Sequence, residues 1–572
     1  VPSSSVQAFA MRHVPGVRAA TTYRRSWLRR DVVAGVVLAT LLVPQGMAYA
    51  ELAGLPAITG LYTSVLCLVG YAIFGPSRIL VLGPDSSLGP MIAATILPIV
   101  GADGSPERAI ALASMLALIV GAIMIVAGIA KLGFVADLLS KPTQIGYMNG
   151  LALTILVSQL PKLCGFSVDG DGLIDEARGF VDGLGAGNAV GAAVAIGAVS
   201  LALILVLGRL LPRIPGVLIA VVLAIGASAA FRLGDHGVSL VGTLPSGFPP
   251  LSFPSPVSDL PLLIAGGLGI ALVALTDTIS TASAFAARTG QEVDGDGEMI
   301  GIGAANVAAG LFQGFPVSTS GSRTAVAENA GARTQLAGVV GAGAIVLMLV
   351  LVPGLLRSLP QPTLAAVVIA ASLSLADIPG TMRLWHQRRT EFLLSIAAFA
   401  GVALLGVLAG IAVAVGLSIL NVFRRAWWPY RTTLGRVPGL AGQHDRRLHP
   451  DAEQVPGLVV FRFDAPLFFA NARSFRDELR RLARADPPPR WIVLAAEPIT
   501  DVDTTAADML AELDEELNAA GISLVFAELK TPVREKLERY ELIGPLDSAH
   551  FFSTLDEAIA AFGHDVDAGG VR

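Results

Sequence analysis

Ile79-Leu80-Val81-Leu82-Gly83-Pro84 runs directly into Asp85-Ser86-Ser87, and Leu311-Phe312-Gln313-Gly314-Phe315-Pro316-Val317 runs into Ser318-Thr319-Ser320-Gly321-Ser322. Each is a short apolar strip that reads as extended chain, because its Gly and Pro interrupt any helix. Each ends in a cluster of the residue types that open one. The first helix is expected from Asp85-Ser86-Ser87 to Pro98, and the second from the Ser318 to Ser322 cluster onward. Ser86 and Ser322 stand 236 positions apart, and Gln45 and Asp277, each in a polar break within an apolar run, stand 232 apart. Such similar offsets point to two homologous halves. Interrupted apolar segments at corresponding places in two halves mark the binding site of a membrane transporter.

The rest of the chain supplies the membrane. Hydrophobic residues make up 53% of its 572 residues and charged ones only 15%, and the mean hydropathy is +0.67. Lipid must be the solvent for much of such a chain. Apolar windows approaching the roughly 20 residues that a bilayer core requires recur near 32–50, 57–75, 85–100, 109–130, 134–158, 188–208, 215–232, 260–286, 297–312, 320–333, 335–356, 362–376, 390–409 and 410–424. About 14 spans follow, several of them short. Arg24, Arg25, Arg29 and Arg30 precede the first window, and Arg424, Arg425, Arg431 and Arg436 follow the last. By the positive-inside rule both clusters are cytoplasmic, so the number of crossings is even and both termini face the cytoplasm of an inner-membrane protein. The first apolar run passes through Pro44 with no cleavage site of small residues, so it reads as an uncleaved first helix. Domain limits follow: a cytoplasmic N-terminal segment 1–30, a transmembrane domain 31–425, a linker 426–456, a soluble domain 457–563 and a tail 564–572.

The net charge of −5 comes largely from the soluble part, and no basic stripe alternates with aromatic residues, so no nucleic-acid partner is expected. Cys67 and Cys164 give neither metal-ligand spacing nor a disulfide framework. No His or Cys pair lies in the apolar region to act as nucleophile and base, so the chain does not read as an enzyme, and no cofactor is expected beyond a coupling H⁺ or Na⁺.

A helix that begins inside the membrane leaves about four N–H groups unpaired and carries roughly +0.5 charge at that end. If the halves are inverted, the helices opening near Ser86 and Ser322 face each other and a small anion can sit between them. Arg323, about one turn into the second helix, adds a full positive charge and needs a partner: an anion, Glu328 or Asp277. The serines also suit plain helix caps or small packing residues, Asp85 suits a cap alone, and Arg323 suits a snorkelling loop position. Asp277 and Thr281 are spaced i, i+4 and share a helix face, which makes an oxygen-rich spot for a proton or Na⁺.

Leu42-Val43-Pro44-Gln45-Gly46-Met47-Ala48-Tyr49-Ala50, with Leu52-Ala53-Gly54-Leu55-Pro56 and Gly60-Leu61-Tyr62, closely resembles the first-helix signature of the sulfate permease (SulP, solute carrier 26-like) family. Ala305-Asn306, the strip from Gly310 to Val317, Ser320-Gly321-Ser322-Arg323-Thr324-Ala325-Val326 and Glu328 to Leu336 extend the resemblance over nearly the whole chain. It implies 14 transmembrane segments in a 7+7 inverted repeat, with uracil-permease-like core and gate domains moving as an elevator. It implies a secondary active transporter of a small anion, commonly a homodimer. Sulfate ranks first on family frequency, with bicarbonate or a dicarboxylate behind it and an exchanger or uncoupled channel as the alternative mode. By motif, Gln45 and Tyr49, Asp85, Ser86 and Ser87, and Ser320, Gly321, Ser322 and Arg323 line the substrate site. Many relatives have Glu at the place of Asp277, and a sodium-coupled bicarbonate member holds its cation with an Asp and a Thr four residues on, which Asp277 and Thr281 match. Animal relatives tend to carry an apolar residue at Asp85. A carboxylate there favours proton-coupled uptake over simple exchange. A nucleobase permease of the same fold is the rival within transport, disfavoured by Arg323 and by the soluble domain.

After the linker, Leu458 to Phe463, Trp491 to Ala496 and Ser523 to Glu528 read as strands, and Ala472 to Ala485, Ala506 to Ala519 and Leu555 to Phe562 as helices. This α/β alternation resembles the STAS domain that sulfate permeases share with anti-sigma-factor antagonists. Thr504 and Thr505 fall at the loop those antagonists phosphorylate, although Asp503 or Thr504 also suits a helix cap.

Overall fold

The computed structural model describes residues 14–101, 104–168, 170, 172–211, 215–245, 247–252, 259–289, 293–544, 546 and 548–569. The first part of the expected N-terminal segment and the end of the expected tail lie outside them. Two compact units result, 1–418 and 419–572.

Each of the fourteen apolar windows carries a helix. A short amphipathic turn, α1 (Pro15–Thr21), precedes them. The first seven are α2 (Leu28–Leu52), α3 (Ala57–Phe74), α4 (Gly89–Val100), α5 (Pro106–Ile129), α6 (Lys141–Leu163), α8 (Gly191–Leu210) and α9 (Gly216–Phe231), with α7 (Leu173–Gly185) inserted before the last two. The second seven are α10 (Leu260–Thr289), α11 (Gly295–Leu311), α12 (Gly321–Asn329), α13 (Leu336–Leu351), α14 (Gln361–Leu375), α16 (Arg389–Leu405) and α17 (Val407–Trp427), with the amphipathic α15 (Ile378–Gln387) before the last pair. Among the described residues, seven helices are long and apolar enough to cross a membrane by themselves. Of the others, α6 is long enough at 23 residues but less apolar, and the rest are shorter, α4 and α12 because each begins after an extended strip.

The helices are apolar outward. In α8 the buried residues are Ala193, Gly197, Ser200 and Ile204, mostly small and one turn apart, and the Ser200 hydroxyl lies 3.1 Å from that of Thr363. Val199, Val206 and Leu210 of the same helix are exposed. Water would drive the opposite arrangement, whereas lipid leaves packing and hydrogen bonds to hold helices together. Small residues allow the contact: a Cβ on Gly303 would come 2.8 Å from the Gly121 carbonyl, so α5 and α11 touch backbone to backbone.

Helix α2 is fastened to the far half through an acid. Asp31, fully buried, accepts from Arg333 N (2.6 Å), Thr334 N (3.2 Å), Thr334 Oγ1 (2.8 Å) and the Tyr23 hydroxyl (3.1 Å). This holds the turn that follows α12 against the start of α2.

In the second unit six strands run β4-β3-β5-β6-β7-β8. β5 (Leu458–Phe463), β6 (Trp491–Ala495), β7 (Ser523–Ala527) and β8 (Phe551–Phe552) are parallel neighbours, connected through α18 (Ala472–Ala483), α19 (Thr504–Ala519) and α20 (Thr531–Arg539), and α21 (Leu555–Gly569) follows. Residues read above as linker contribute the antiparallel edge, β3 (Arg431–Arg436) and β4 (Gln443–Asp445). β3 is a six-residue stretch of Arg, Thr, Leu and Gly whose half-buried alternation is too polar to stand out beside the apolar strands.

Replacing Asp31 with Ala strands the Thr334 N–H and hydroxyl, at about 1–3 kcal/mol for each unmade bond. The Asp31→Ala protein in detergent should melt several degrees below the parent by a fluorescence-monitored thermal scan, with Asp31→Asn between the two. An unchanged midpoint would remove this fastening from the account.

Candidate functional site

The two apolar strips meet. Leu82–Gly83 (β1) pairs antiparallel with Ser318–Thr319 (β2), Leu82 opposite Thr319 and Gly83 opposite Ser318. The ladder continues as Ser320 N donates to the Val81 carbonyl at 3.1 Å and Val81 N donates to Thr324 Oγ1 at 3.1 Å. The flanks are held by side chains acting as backbone. Asn306 Oδ1 accepts from Val317 N (3.0 Å) and its Nδ2 donates to the Ile302 carbonyl (2.9 Å), while Gln335 Nε2 donates to the carbonyls of Ser77 and Leu80, both at 2.9 Å. Thr319 Oγ1 donates to Thr278 Oγ1 at 3.0 Å, which ties β2 to α10 beside Asp277. Buried non-helical backbone is tolerable at membrane depth only with such partners.

Where the strips end, the half-helices start. The expected helix at Asp85 is delayed: Asp85 Oδ1 accepts from Ser87 N (3.0 Å), and the Asp85 carbonyl accepts from Leu88 N (3.3 Å) and Gly89 N (3.2 Å). These bonds wind Asp85 to Leu88 into turns, so α4 begins at Gly89. In the other half Ser318 and Thr319 belong to the strand, Ser320 caps, and α12 begins at the exposed Gly321 and Ser322.

Arg323 is 1% exposed, and its carboxylate partner is Asp85, not Asp277: Nη2 lies 3.4 Å from Asp85 Oδ2. That is longer than the roughly 2.7–2.9 Å of a good charge-assisted bond. Nε and Nη1 are buried without a hydrogen-bond partner among the described residues. Gly83 makes the guanidinium's room, since a Cβ there would stand 2.6 Å from Nη1. Ser87 Oγ lies 2.9 Å from Asp85 Oδ1 and 3.1 Å from Asp277 Oδ2, so the two carboxylates approach within 6.0 Å, the sum of these distances, or less. Thr281 faces the second half-helix, 3.8 Å from a Cβ built on Gly321. Tyr49, buried on α2 one turn beyond the half-buried Gln45, turns its hydroxyl toward Ser86.

The structure thus gathers Tyr49, Asp85, Ser86, Ser87, Asp277, Thr281 and the Ser320 to Arg323 turn around one place. Sequence reasoning missed Tyr147 of α6, fully buried within electrostatic reach of both Asp85 and Asp277, its hydroxyl without a hydrogen-bond partner among the described residues. A lone phenol in the apolar 134–158 window was the available signal. It also missed a cavity of about 980 Å³ lined by Glu51, Tyr62, Glu107, Lys162, Gln313 and Gln361, apart from these residues.

The sulfate permease family profile matches residues 28–398, and the STAS domain profile matches residues 449–558. The chain belongs to the sulfate permease family. This is a family of transporters, not of enzymes. The sulfate permease described here is 44% identical over 550 residues to a probable sulfate transporter of Mycobacterium tuberculosis (strain ATCC 25618 / H37Rv), covering 96% of this chain and 98% of that one. It is 30% identical over 567 residues to probable sulfate transporter 4.2 of Arabidopsis thaliana, covering 96% and 83%. Its fold matches the murine Solute Carrier 26 family member A9 anion transporter in the inward-facing state, at a TM-score of 0.87, 22% identity and coverage of 98% of this chain and 95% of that. The transmembrane domain of the cyanobacterium bicarbonate transporter BicA matches at a TM-score of 0.61 and 23% identity, over 69% of this chain and 99% of that.

In the second unit, Asp503 caps α19: Oδ1 accepts from Ala506 N at 2.8 Å and Oδ2 from Phe469 N at 2.9 Å. Thr504 and Thr505 are exposed at the first turn. Lys536 hydrogen-bonds Asp501 just before them and holds its carboxyl below the ordinary carboxylate range.

A methyl group on Gly83 must push the guanidinium or the strand aside. Gly83→Val should lower the melting midpoint of the purified protein in detergent by several degrees, because the added side chain and the buried guanidinium cannot share the space. An unchanged midpoint would show that Arg323 does not depend on the gap.

Proposed function

We propose that this permease is a secondary active transporter of a small oxyanion, sulfate ahead of bicarbonate or a dicarboxylate, driven by a proton or sodium gradient. One observation carries the reading. A fully buried arginine has two nitrogens, Nε and Nη1, without a hydrogen-bond partner among the described residues, in the first turn of α12 and facing Asp85. Leaving such donors empty is costly, and an oxyanion offers acceptors to the guanidinium and to the Gly321 and Ser322 end together, as charge-assisted bonds and the helix dipole favour. Sulfate leads because the relatives named above carry that substrate in their names.

Asp277 supplies the coupling. Two ionised carboxylates about 6 Å apart repel by roughly 3 kcal/mol at an effective dielectric constant near 20. A proton or Na⁺ at Asp277 removes that repulsion and offsets the incoming anion's charge. Elevator motion suits the packing: α2, α3, α5, α10, α11 and α13 form one group around the site, while α6, α8, α9, α14 and α16 pack chiefly on one another. The arginine clusters flanking the spans support cytoplasmic termini in an inner membrane, and a homodimer is the assembly the family suggests.

Radiolabelled sulfate uptake into proteoliposomes tests this, with an inward pH gradient, an inward Na⁺ gradient, or neither. Accumulation above equilibrium should occur under one gradient only, compete with unlabelled oxyanions, and fall at least tenfold in Asp277→Asn. Arg323→Gln should lose sulfate binding. Equilibration without accumulation under both gradients would replace symport with exchange or a channel.

The STAS domain is read as regulatory through Thr504 and Thr505, because a phosphate at the first turn of α19 would meet the helix's positive end. A Thr504→Ala, Thr505→Ala double variant should alter the transport rate in cells. An unchanged rate would leave Asp503 as a cap and nothing more.

A further inference from the structure

Asp85 already makes the contacts that a bound anion would make. One carboxylate oxygen accepts from Ser87 N and lies 2.9 Å from the Ser87 hydroxyl at the turn before α4, and the other faces Arg323. The second half-helix has no such acid: its first turn is Ser320, Gly321 and Ser322, with Gly321 and Ser322 exposed. The two ends of an otherwise matched site are therefore unequal. One carries its own tethered anion and the other is open.

Ser87 adds a second fact. Its hydroxyl has one hydrogen yet stands within hydrogen-bond distance of a carboxylate oxygen of Asp85 and one of Asp277. It can donate to one of them. The other oxygen then faces a lone pair unless it bears a proton itself, the arrangement of an acid pair sharing one proton.

We propose that Asp85 is a tethered competitor for Arg323: ionised, it occupies the guanidinium and weakens anion binding, and the proton shared with Asp277 through Ser87 releases Arg323 to the substrate. The inference rests on the reading that this site binds an oxyanion with a coupled cation, and names the proton as that cation. The groups facing the acid pair are Tyr49 from α2, Tyr147 and Lys141 from α6, and Arg323 from α12, with Cys67 of α3 near the arginine. The sign follows. Loss of the shared proton leaves the Asp85 carboxylate on Arg323 and loosens the anion, so apparent affinity falls as pH rises.

The test is equilibrium binding of radiolabelled sulfate to purified full-length protein from pH 5.5 to 8.5, by scintillation proximity, for the parent, Asp85→Asn, Asp85→Glu and Asp277→Asn. The parent's affinity should fall at least tenfold across the range. Asp85→Asn cannot compete, so its affinity should vary less than threefold and stay near the parent's low-pH value. Asp85→Glu should restore the slope. Thermal melting and monodispersity of each variant separate misfolding from loss of the acid. Asp85→Asn with the parent's full slope overturns the proposal, as does a folded Asp85→Asn that binds sulfate at no pH, which would make Asp85 a required ligand. A parent that binds no oxyanion fails the proposed function instead, and one that binds with no slope fails the proton coupling alone.

Discussion

Two rungs of antiparallel backbone, Leu82 with Thr319 and Gly83 with Ser318, hold this molecule's site together. Strips from the two halves can leave helical form inside a membrane only because each satisfies the other, with Asn306, Gln335, Thr324 and Thr278 filling the remaining valences. The pairing also sets direction. Since the strands run opposite ways, the chains leaving them depart to opposite sides, and Arg323 reaches back across to Asp85.

Arg323 is a consequence of that frame. It lies under β1 in space that Gly83 leaves, with a loose partner in Asp85 and two idle donors. A buried pair of this kind adds little stability, because desolvation outweighs a long contact. On the proposed reading its place in the fold is that of a preformed receptor for negative charge, in the gap that Gly83 leaves. Rigid donors lose nothing to reorganisation when an anion arrives.

Much of this was legible in the residues. The Gly-Pro and Phe-Pro strips, the serine clusters after them and the fourteen apolar windows each left a local signature, so the half-helices and their matched offset could be read directly. The first-helix motif around Gln45 and Tyr49 carried the family. Contacts between distant residues were not legible. Arg323 and Asp85 lie 238 positions apart, and nothing local distinguishes Asp85 from Asp277 or Glu328 as the partner. Asp85 looked like a cap, but Leu88 holds that position, and the Asp85 side chain instead accepts from Ser87 N and delays the helix to Gly89, which composition does not reveal. Tyr147 was hidden because a buried phenol inside an apolar window usually means packing. Strands β3 and β4 were hidden because edge strands need little hydrophobicity.

An inverted repeat would be expected to yield equal halves, yet the chemistry at the two helix ends differs by one carboxylate. The scaffold accounts for the likeness, since both ends need backbone closure and a small hydroxyl residue to begin a helix. Only one end needs to sense a second ion. Placing the acid on the α4 side puts it across from the arginine on the α12 side and within one serine of Asp277 on α10, and under the proposed coupling the cation and the anion act on a single carboxylate. Were acids present on both ends, the pocket would repel its substrate. Were they on neither, Arg323 would bind anions irrespective of the gradient and there would be no linkage to use. Under the proposed coupling, the inequality of the halves is the feature through which a symmetric frame couples two fluxes.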